Sequence, residues 1–568
     1  MKYNIVIIWI LVLTMTSCEQ KNPLADIIDE YDTFQEEERD ESFPWPKVTE
    51  KDIADRLTFY QNIQNRLNNV SADNLSENDL INYEMLKHIV DDRVFNLDYE
   101  SHLIPITSEG GFVTGLIFSI QRKNLKTAED LEKYLTYLKT FPIYIDHRIS
   151  NLKRGLETGK KSSKFITSKF LDILDPFVSK VNSEDNMYRK ALETYEGEIS
   201  EEVKTEMDHL IKNEIPSAWQ KLSDFVHNEY LPNAYEKIGA GELPQAKVYY
   251  QERVKYFTTL DITPEEVYQT GLSEVARIRA DMEAVIQDLN FDGTWEEFFD
   301  FLRTDPQFYA KSPAEILMKA SWICKEMEFE MPKYFGHMPR MPFSVKPVPA
   351  SIAPNYTAGR YSGGSYDDHR AGQYWVNTTK LESRPLYALP ALSLHEAVPG
   401  HHTQNMLAAE MKDLPKFRST YLSAFGEGWG LYSEYLGIEA GIYKTPYENF
   451  GRMTYEMWRA CRLVVDVGMH FKGWDRQKAF DFMASNTALS IHEVNTEIDR
   501  YIGWPAQAVS YKMGELKIRE LRKRAEESLG ESFDIRAFHD KVLENGSVPL
   551  KTLERIIDQF IDEAKTKS

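Results

Sequence analysis

The chain has 568 residues, 42% of them apolar, which is enough to bury a large core and excludes global disorder. Its formal net charge of −22 argues against a nucleic-acid-binding protein and against a protein held on membranes by basic residues. Beyond residue 18 the cysteines are Cys324 and Cys461, so a secreted domain scaffolded by disulfides is also excluded.

The first residues predict export and lipid attachment. Lys2 precedes an apolar run over 5–13 that has signal-peptide length and is too short to span a bilayer comfortably. Small residues then lead to Cys18, as in bacterial lipoprotein signals, although Met15 stands where such signals usually carry leucine. We predict a signal peptide over 1–18, lipidation of Cys18 and anchoring to the cell envelope. Ordinary secretion with removal of Cys18 is the alternative.

Helical patterns dominate the rest of the chain. Residues 19–45 are polar and acidic and predict a tether. Beyond them apolar residues recur at helical spacing, as in 128–138, and the turn clusters are short. The sequence therefore predicts a mainly α protein, with an N-terminal helical region over 46–245 and a C-terminal catalytic region over 246–568. The two regions could equally form one continuous domain.

A strand and a histidine motif follow one another in the C-terminal half. Residues 373-QYWVNT-378 have the composition of a β-strand, which predicts a small sheet. The motif 392-LSLHEAVPGHHTQ-404 resembles the zinc-binding H-E-x-x-H helix, but its histidines have the wrong spacing. In a regular helix His401 lies about 240° around and about 9 Å along the axis from His395, and His402 lies about 10 Å along it. Neither could share an ion with His395.

Pro399 and Gly400 prevent a regular helix at this point. Proline has no N–H and its ring clashes with the carbonyl group four residues earlier, while glycine reaches backbone angles that are closed to other residues. A bulge that absorbs two residues would bring His401 to the metal-binding position. The alternative is that the histidines cap a kinked helix without a metal, and the choice between His401 and His402 stays open.

Further ionisable residues follow on apolar helices. Glu427 and Glu434 are seven residues apart on one helix face, and either would be satisfied as a metal ligand; pairing with an arginine is the alternative. Four more residues recur every three or four positions and predict either a pocket-facing stripe or structural ion pairs. They are Arg459, Arg462, Asp466 and His470. Tyr501 and Tyr511 could donate to an oxyanion, although most tyrosines in helical proteins belong to the core.

Four motifs in this order, HEAVPGHH, EGWGLYSE, RLVVDVGMH and YIGWPAQAVSYKMGE, resemble the bacterial family catalogued as domain of unknown function 885. That family is grouped with the gluzincin-type metallopeptidases. The resemblance covers roughly residues 45–560 and is strongest over 355–520. The chain departs from the usual pattern at Gly430, where alanine is common, and at Ala506, where glycine is common, but neither change removes a chemical group.

The resemblance implies a mainly helical fold like those of oligopeptidases and large metallocarboxypeptidases, with a deep channel and a small β-sheet near the active site. It implies His395 and His401 as metal ligands and Glu427 as the third ligand. It also implies Glu396 as the general base. The expected cofactor is one Zn²⁺ ion per chain.

In gluzincin-like sites an edge strand beside the metal helix grips the substrate backbone, and the strand 373–378 is the candidate here, with Asn377 orienting the peptide. Tyr511 is our first candidate for the oxyanion donor and His470 the second, while Tyr501 is a candidate for substrate binding. Arg462 could hold a substrate carboxylate, which would favour a carboxypeptidase or a dipeptidase.

Three functions remain open, of which the weakest is a structural envelope protein whose histidines have no ligand role. The first is zinc-dependent hydrolysis of peptide or other amide bonds by a protein anchored by lipid on the periplasmic side or the cell surface. The alternative is a non-catalytic envelope lipoprotein of the same fold that binds peptides or other ligands. Glu396 favours the enzyme, because a binding protein would not need a carboxylate beside the first histidine. Either protein would contact a peptide or small amide, would meet the membrane only through its lipid and would not bind nucleic acid.

Overall fold

The computed structural model describes residues 23–350, 353 and 356–567. It is a mainly α protein with one three-stranded sheet, which confirms the predicted fold class. Within the described part of the chain, no helix has both the length and the apolar character needed to cross a bilayer. The predicted signal peptide and Cys18 lie outside the described residues.

The N-terminal part is an array of helices that begin at local capping residues. The side chains of Thr49 and Thr127 each accept a hydrogen bond from the backbone N–H three residues later, and the aspartate at that position accepts one from the backbone N–H of the threonine. The helices are α1 (Pro23–Glu37), α2 (Glu50–Asn68), α3 (Glu77–Asp98), α4 (Gly111–Gln121), α5 (Ala128–Thr158), α6 (Lys164–Val181), α7 (Met187–Leu192), α8 (Glu201–His209), α9 (Ile215–Phe225) and α10 (Leu231–Asn233). Single π-helical turns join α8 to α9 and α9 to α10.

Part of the segment that we predicted as a tether is folded. Its residues 23–37 form α1, which packs against α2. Leu24, Ile27 and Tyr31 are buried, and the Tyr31 ring meets the Phe417 ring edge to face at 6.0 Å. The acidic composition suggested a solvated linker, but these apolar residues recur every three or four positions and bury one stripe of the helix.

The C-terminal part contains α11 (Ala246–Thr258), α12 (Pro264–Asp288), α13 (Trp295–Thr304), α14 (Pro313–Glu330), α15 (Leu389–Glu396), α16 (His401–Ala409), α17 (Ser423–Glu439), α18 (Pro446–His470), α19 (Arg476–Asn486), α20 (Ile491–Gly503), α21 (Ser510–Leu529), α22 (Ile535–Leu543) and α23 (Leu550–Lys567). Helix α18 lies at the centre, where it packs against α12, α15, α19, α20 and α21, and all its residues from 450 to 470 are buried. One apolar cluster holds residues from both sides of residue 245, and a division there stays a prediction.

The sheet lies beside α15. Its strands are β1 (Phe343–Pro347), β2 (Gly359–Ser362) and β3 (Gly372–Val376), in the order β1–β3–β2. The predicted strand at 373–378 corresponds to β3, but its predicted role as an edge strand was wrong. β3 pairs in parallel with β1 and antiparallel with β2, so neither of its edges is free for a peptide. β2 is an edge strand.

Candidate metal centre and active site

The histidine motif is broken between its two helices, as the proline and glycine predicted. Helix α15 ends at Glu396 and α16 begins at His401, with non-helical backbone angles at Ala397 and Gly400 between them. The Val398–Pro399 peptide bond in this break is cis. The backbone N–H of Gly400 donates to the carbonyl oxygen of Leu394 at 3.0 Å, six residues back.

Gly400 is needed for the close approach of the two helix ends. A Cβ atom at this position would lie 1.9 Å from the backbone oxygen of His395 and 2.4 Å from that of Leu394. On the other side of the break, the indole N–H of Trp429 donates to the carbonyl oxygen of Pro399 at 2.8 Å. The chain can therefore double back between His395 and His401 only with a glycine here.

Three side chains from three helices converge behind this break. Nε2 of His395 and Nε2 of His401 each lie 3.4 Å from Oε2 of Glu427, and one ligand atom from each residue lies within 4.8 Å of the others. Metal–ligand bonds of 2.0–2.1 Å at tetrahedral angles place neighbouring ligand atoms about 3.3–3.4 Å apart. The spacing of His395, His401 and Glu427 therefore fits a zinc ion.

His402 is engaged elsewhere. Its Nδ1 lies 3.0 Å from the hydroxyl of Tyr361, and its Nε2 lies 3.0 Å from the carbonyl oxygen of Met341. Burial lowers the pKa of His402 to about 4, which keeps the ring neutral. Of the two adjacent histidines, His401 is the one that faces His395 and Glu427, and its Nδ1 has no hydrogen-bond partner among the described residues.

The two glutamates that the sequence left as alternatives have different positions. Glu427 reaches the metal-binding side of His395, whereas Oε1 of Glu434 accepts from Nδ1 of the same ring at 2.8 Å. Such a carboxylate fixes the ring orientation of a metal-binding histidine and raises its basicity. Arg459 lies 3.5 Å from the same oxygen of Glu434. Glu434 is therefore an orienting residue, and Arg459 offsets its buried charge.

The electrostatics of this cluster favour a cation. Burial opposes the charged form of His395, but hydrogen bonds to Glu427 and Glu434 outweigh burial and raise its pKa to about 9. Burial also opposes ionisation of Glu427, but the neighbouring His401 and His395 hold its pKa well below the usual range. The His395 ring is thus stabilised in its positive form by nearby carboxylates, and a divalent cation can replace that positive charge.

Glu396 follows the first histidine and lies beside the edge strand. Its Oε2 accepts a hydrogen bond from the backbone N–H of Tyr361 at 2.8 Å. Tyr361 belongs to β2, and this N–H points away from β3, so the free edge of the sheet faces Glu396. The predicted base thus follows His395 in the chain and contacts the edge strand β2.

Two tyrosines lie near Glu427. The hydroxyl of Tyr421 donates to Oε1 of Glu427 at 3.0 Å, and the residue is 43% exposed. Tyr511 is partly exposed, and its ring stacks on the guanidinium of Arg462 at 4.2 Å. Burial and the charge of Glu427 raise the pKa of both hydroxyls, so both stay protonated as donors. Our sequence reasoning missed Tyr421, because nothing in its local pattern separates it from the other tyrosines.

Comparison with known proteins places the chain in a family. The family described as "Bacterial protein of unknown function (DUF885)" matches residues 37–557. The chain belongs to the DUF885 family. None of the curated proteins matches it. No activity accompanies the DUF885 description, so hydrolysis remains a prediction.

Two solved structures are similar to this DUF885 protein over nearly its whole length. A "putative lipoprotein" from Colwellia psychrerythraea has a TM-score of 0.85 and 26% identity, and the match covers 95% of this chain and 100% of that one. A "putative lipoprotein of unknown function" from Shewanella oneidensis has a TM-score of 0.75 and 19% identity, covering 94% and 96%. The second likeness concerns the fold alone.

Two residues that we predicted at the active site of this DUF885 protein have structural partners instead. His470 accepts from the backbone N–H of Ala240 at 2.9 Å and donates to the carbonyl oxygen of Tyr501 at 2.9 Å. Asn377 is fully buried, and its amide donates to the carbonyl oxygens of Ala353 and Tyr356 at 2.9 Å. Both predicted roles were wrong, because neighbouring backbone groups occupy the hydrogen-bonding positions of these side chains.

Arg462 and Tyr501 lie inside the protein and support the site indirectly. Nε of Arg462 donates to the Tyr501 hydroxyl at 2.7 Å, and its Nη2 donates to Glu497 at 3.0 Å. The guanidinium lies between the rings of Trp458 and Tyr511, and Arg462 and Tyr501 are at most 2% exposed. Both side chains therefore bond to other buried residues instead of facing a substrate, and Arg462 stacks on the Tyr511 ring.

Proposed function

We propose that this protein is a metal-dependent hydrolase of peptide or other amide bonds, with one zinc ion held by His395, His401 and Glu427. The observation that carries the proposal is the convergence of two imidazole nitrogens and one carboxylate oxygen at metal-ligand spacing, with Glu396 directly after the first histidine in the chain. Two histidines and one glutamate are a ligand set of catalytic zinc sites, which leave one position open for water or substrate.

A bound zinc ion supplies a water of lowered pKa and polarises the substrate carbonyl group. Glu396 is the general base in this proposal: its carboxylate takes a proton from the attacking water and delivers it to the leaving amine. The hydrogen bond from the Tyr361 N–H holds that carboxylate against the edge strand β2. Glu434 holds the His395 ring so that Nε2 faces Glu427.

The substrate backbone lies along β2 in this proposal. β2 has one edge that is not paired to β3, and that edge faces Glu396. An extended peptide could add to it through main-chain hydrogen bonds. Tyr421 and Tyr511 are the two candidates for the donor to the negative charge that develops on the carbonyl oxygen, because both stay protonated and both lie near Glu427.

We also propose that the chain is a lipid-anchored protein of the bacterial envelope. The N-terminal pattern that ends at Cys18 and the lipoprotein names of both similar structures support this. The test is expression of the full chain with Cys18→Ser. The wild-type protein is expected in the membrane fraction and the variant in the soluble fraction, and equal distribution would contradict the anchor.

Metal analysis and peptide digestion together test the hydrolase. Purified protein is expected to contain one zinc ion per chain and to cleave members of a mixed peptide library. A chelator and the Glu396→Gln substitution should each abolish the products seen by mass spectrometry. Identical product profiles in all three samples would contradict the enzyme. Less than about a tenth of a zinc ion per chain, with no rescue by added metal, would favour a non-catalytic binding protein.

A matched histidine pair controls for damage to the fold. His401→Gln is expected to remove the zinc, whereas His402→Gln is expected to keep it, because His402 bonds to Tyr361 and Met341 instead. Both variants alter neighbouring residues of the same helix. Zinc loss in both or in neither would contradict the assignment of His401.

A further inference from the structure

A second polar cluster lies in a cavity beside the metal-binding helix and has no part in the proposed hydrolysis. The cavity has a volume of about 30 Å³ and lies between α14, α15, β3, α18 and the start of α20. Most of its wall is apolar and includes Val376 and Leu392. Three of its lining residues are Arg384, Thr454 and Glu493, which carry polar groups into this apolar environment.

One atom of each of these side chains is buried without a hydrogen-bond partner in the described part of the chain. The atoms are Nε of Arg384, Oγ1 of Thr454 and Oε1 of Glu493. Arg384 is 6% exposed and Thr454 is 2% exposed, and Nη2 of Arg384 is anchored on the carbonyl oxygen of Tyr356 at 3.0 Å. Leaving buried polar groups unsatisfied is costly, so three of them around one cavity point to a ligand.

The cavity is within reach of the reacting bond. Leu392, in its wall, lies four residues before Glu396 and therefore on the same face of α15, about 6 Å along the helix axis. Ala358, also in the wall, directly precedes the edge strand β2. An extended peptide advances about 3.3–3.6 Å per residue. A group in the cavity would thus belong to a residue one or two positions from the bond next to Glu396.

The charges around the cavity favour an anion. Arg384 contributes a guanidinium with a free N–H. Burial raises the pKa of Glu493 to about 7, although Arg384, Arg459 and Arg462 favour its charged form, while Glu497 opposes it. Near neutral pH part of the Glu493 population is therefore protonated and can donate a hydrogen bond, as can the hydroxyl of Thr454.

We propose that this cavity is a substrate subsite that binds a carboxylate group. The inference rests on the proposed hydrolase function. A volume of 30 Å³ has room for about two water molecules, which is the space that the two oxygens of a carboxylate need. Arg384 holds the carboxylate by a charge-assisted hydrogen bond, and Thr454 and Glu493 donate to it. The carboxylate belongs either to the C-terminus of a peptide or to an acidic side chain next to the cleaved bond.

The first experiment uses three peptides that share one N-terminal segment and end in Ala-Ala, Ala-Ala amide or Asp-Ala amide. For the zinc-loaded protein, kcat/KM for the peptide with the recognised carboxylate should exceed that for the neutral amide by about tenfold or more. A free C-terminus as the source favours the first peptide, and an acidic side chain favours the third. Equal values for all three peptides would overturn the proposal.

Substitutions locate the carboxylate. Arg384→Gln is expected to reduce the preference to less than about twofold. Arg418→Gln is the matched control, because Arg418 is also buried, at 8% exposure, and its Nε also lacks a partner among the described residues, but it lies outside the cavity. The control should keep the preference. If Arg360→Gln removes it and Arg384→Gln does not, the exposed arginine on β2 binds the carboxylate and the cavity proposal is overturned.

A binding measurement separates this inference from the hydrolase proposal. Nuclear magnetic resonance titration of the metal-free protein with N-acetylalanine and with its amide requires no activity. The acid is expected to bind about threefold or more tightly than the amide, and Arg384→Gln should remove the difference. Thr454→Val, which keeps side-chain size, replaces Arg384→Gln if that variant does not fold, and it should halve the difference or more. Glu493→Gln, whose amide still donates a hydrogen bond, should keep the difference.

The two outcomes can be told apart. Preferential binding of the acid without any hydrolysis would keep the subsite and reject the enzyme. Hydrolysis with equal binding of N-acetylalanine and its amide would keep the enzyme and reject the subsite.

Discussion

The candidate metal centre and the polar face of α18 are both buried, and both place charged side chains in apolar surroundings. At the centre, His395, His401 and Glu427 come from three helices and direct one atom each towards a common point. On α18, Asp466 accepts from the Tyr250 hydroxyl and His470 bonds to two backbone groups. Burial of charged side chains alone therefore does not identify a metal site, whereas convergence of ligand atoms on one point does.

We expect the largest effects on zinc content and activity from substitution of a histidine in the candidate metal centre. His395→Ala should leave less than about a tenth of a zinc ion per chain and reduce hydrolysis to the level of chelator-treated protein, because one of three ligands is lost. His470→Ala should keep the zinc and lower the free energy of unfolding by about 1–3 kcal/mol, because two buried backbone groups lose their partner. Elemental analysis and denaturant unfolding measure both. Equal zinc content in the two variants would contradict the comparison.

Glu396→Gln separates the chemistry from the metal. We expect kcat to fall about 10²–10⁴-fold, because glutamine cannot accept the proton of the attacking water. The zinc content should stay at one ion per chain, since Glu396 is not part of the ligand cluster. Steady-state kinetics and elemental analysis check the two statements. A variant that loses zinc together with activity would show that Glu396 acts as a ligand instead of a base.

Tyr421→Phe and Tyr511→Phe test which of the two tyrosines donates to the oxyanion. Loss of a single oxyanion donor should lower kcat by about 10²–10³-fold with little change in zinc content. The residue that donates to the oxyanion should show this loss, and the other should show less than about tenfold. Tyr188→Phe is the control, since its buried hydroxyl lies in the N-terminal part, where it accepts from the Trp219 indole N–H. If neither Tyr421→Phe nor Tyr511→Phe lowers kcat, both tyrosines are excluded as donors.

We expect the smallest effect, a change in zinc affinity, from substitution of one of two buried carboxylates. Glu434→Gln should weaken zinc binding about 10–100-fold, because the His395 ring loses the carboxylate that orients it. Activity should return at excess zinc. Asp466→Asn should leave zinc affinity unchanged, because Asp466 bonds to Tyr250 and the backbone of Ala506. Competition with a chromogenic chelator measures the affinities, and an equal shift in both variants would contradict the assigned role of Glu434.

Local chemistry accounts for the features that the sequence predicted well. The helix predicted over 128–138 begins after Thr127, whose capping box joins residues three positions apart. The break after Glu396 follows from the steric properties of Pro399 and Gly400 alone. The mainly α fold follows from apolar residues at helical spacing. In each case, the interacting atoms are close together in the chain.

Contacts between distant residues account for the errors and for the alternatives left open. From the sequence, His402 was a possible metal ligand. In the structure its two ring nitrogens bond to Tyr361 and Met341. His470 looked catalytic because its partners, Ala240 and Tyr501, lie 230 and 31 residues away. The strand at 373–378 was recognised, but its place in the middle of the sheet depends on β1 and β2.

The sequence alone predicts that this protein is mainly helical and that its histidine helix is interrupted. It also gives the residue types that could bind a metal or act as a base. These properties follow from backbone sterics and from periodicity over a few residues. Only the tertiary structure decided that His401 and Glu427 join His395, that Glu434 orients the ring, and that Tyr421 lies at the centre. Each of these contacts joins residues that are distant in the chain. They form because tertiary packing brings the helices that carry them together.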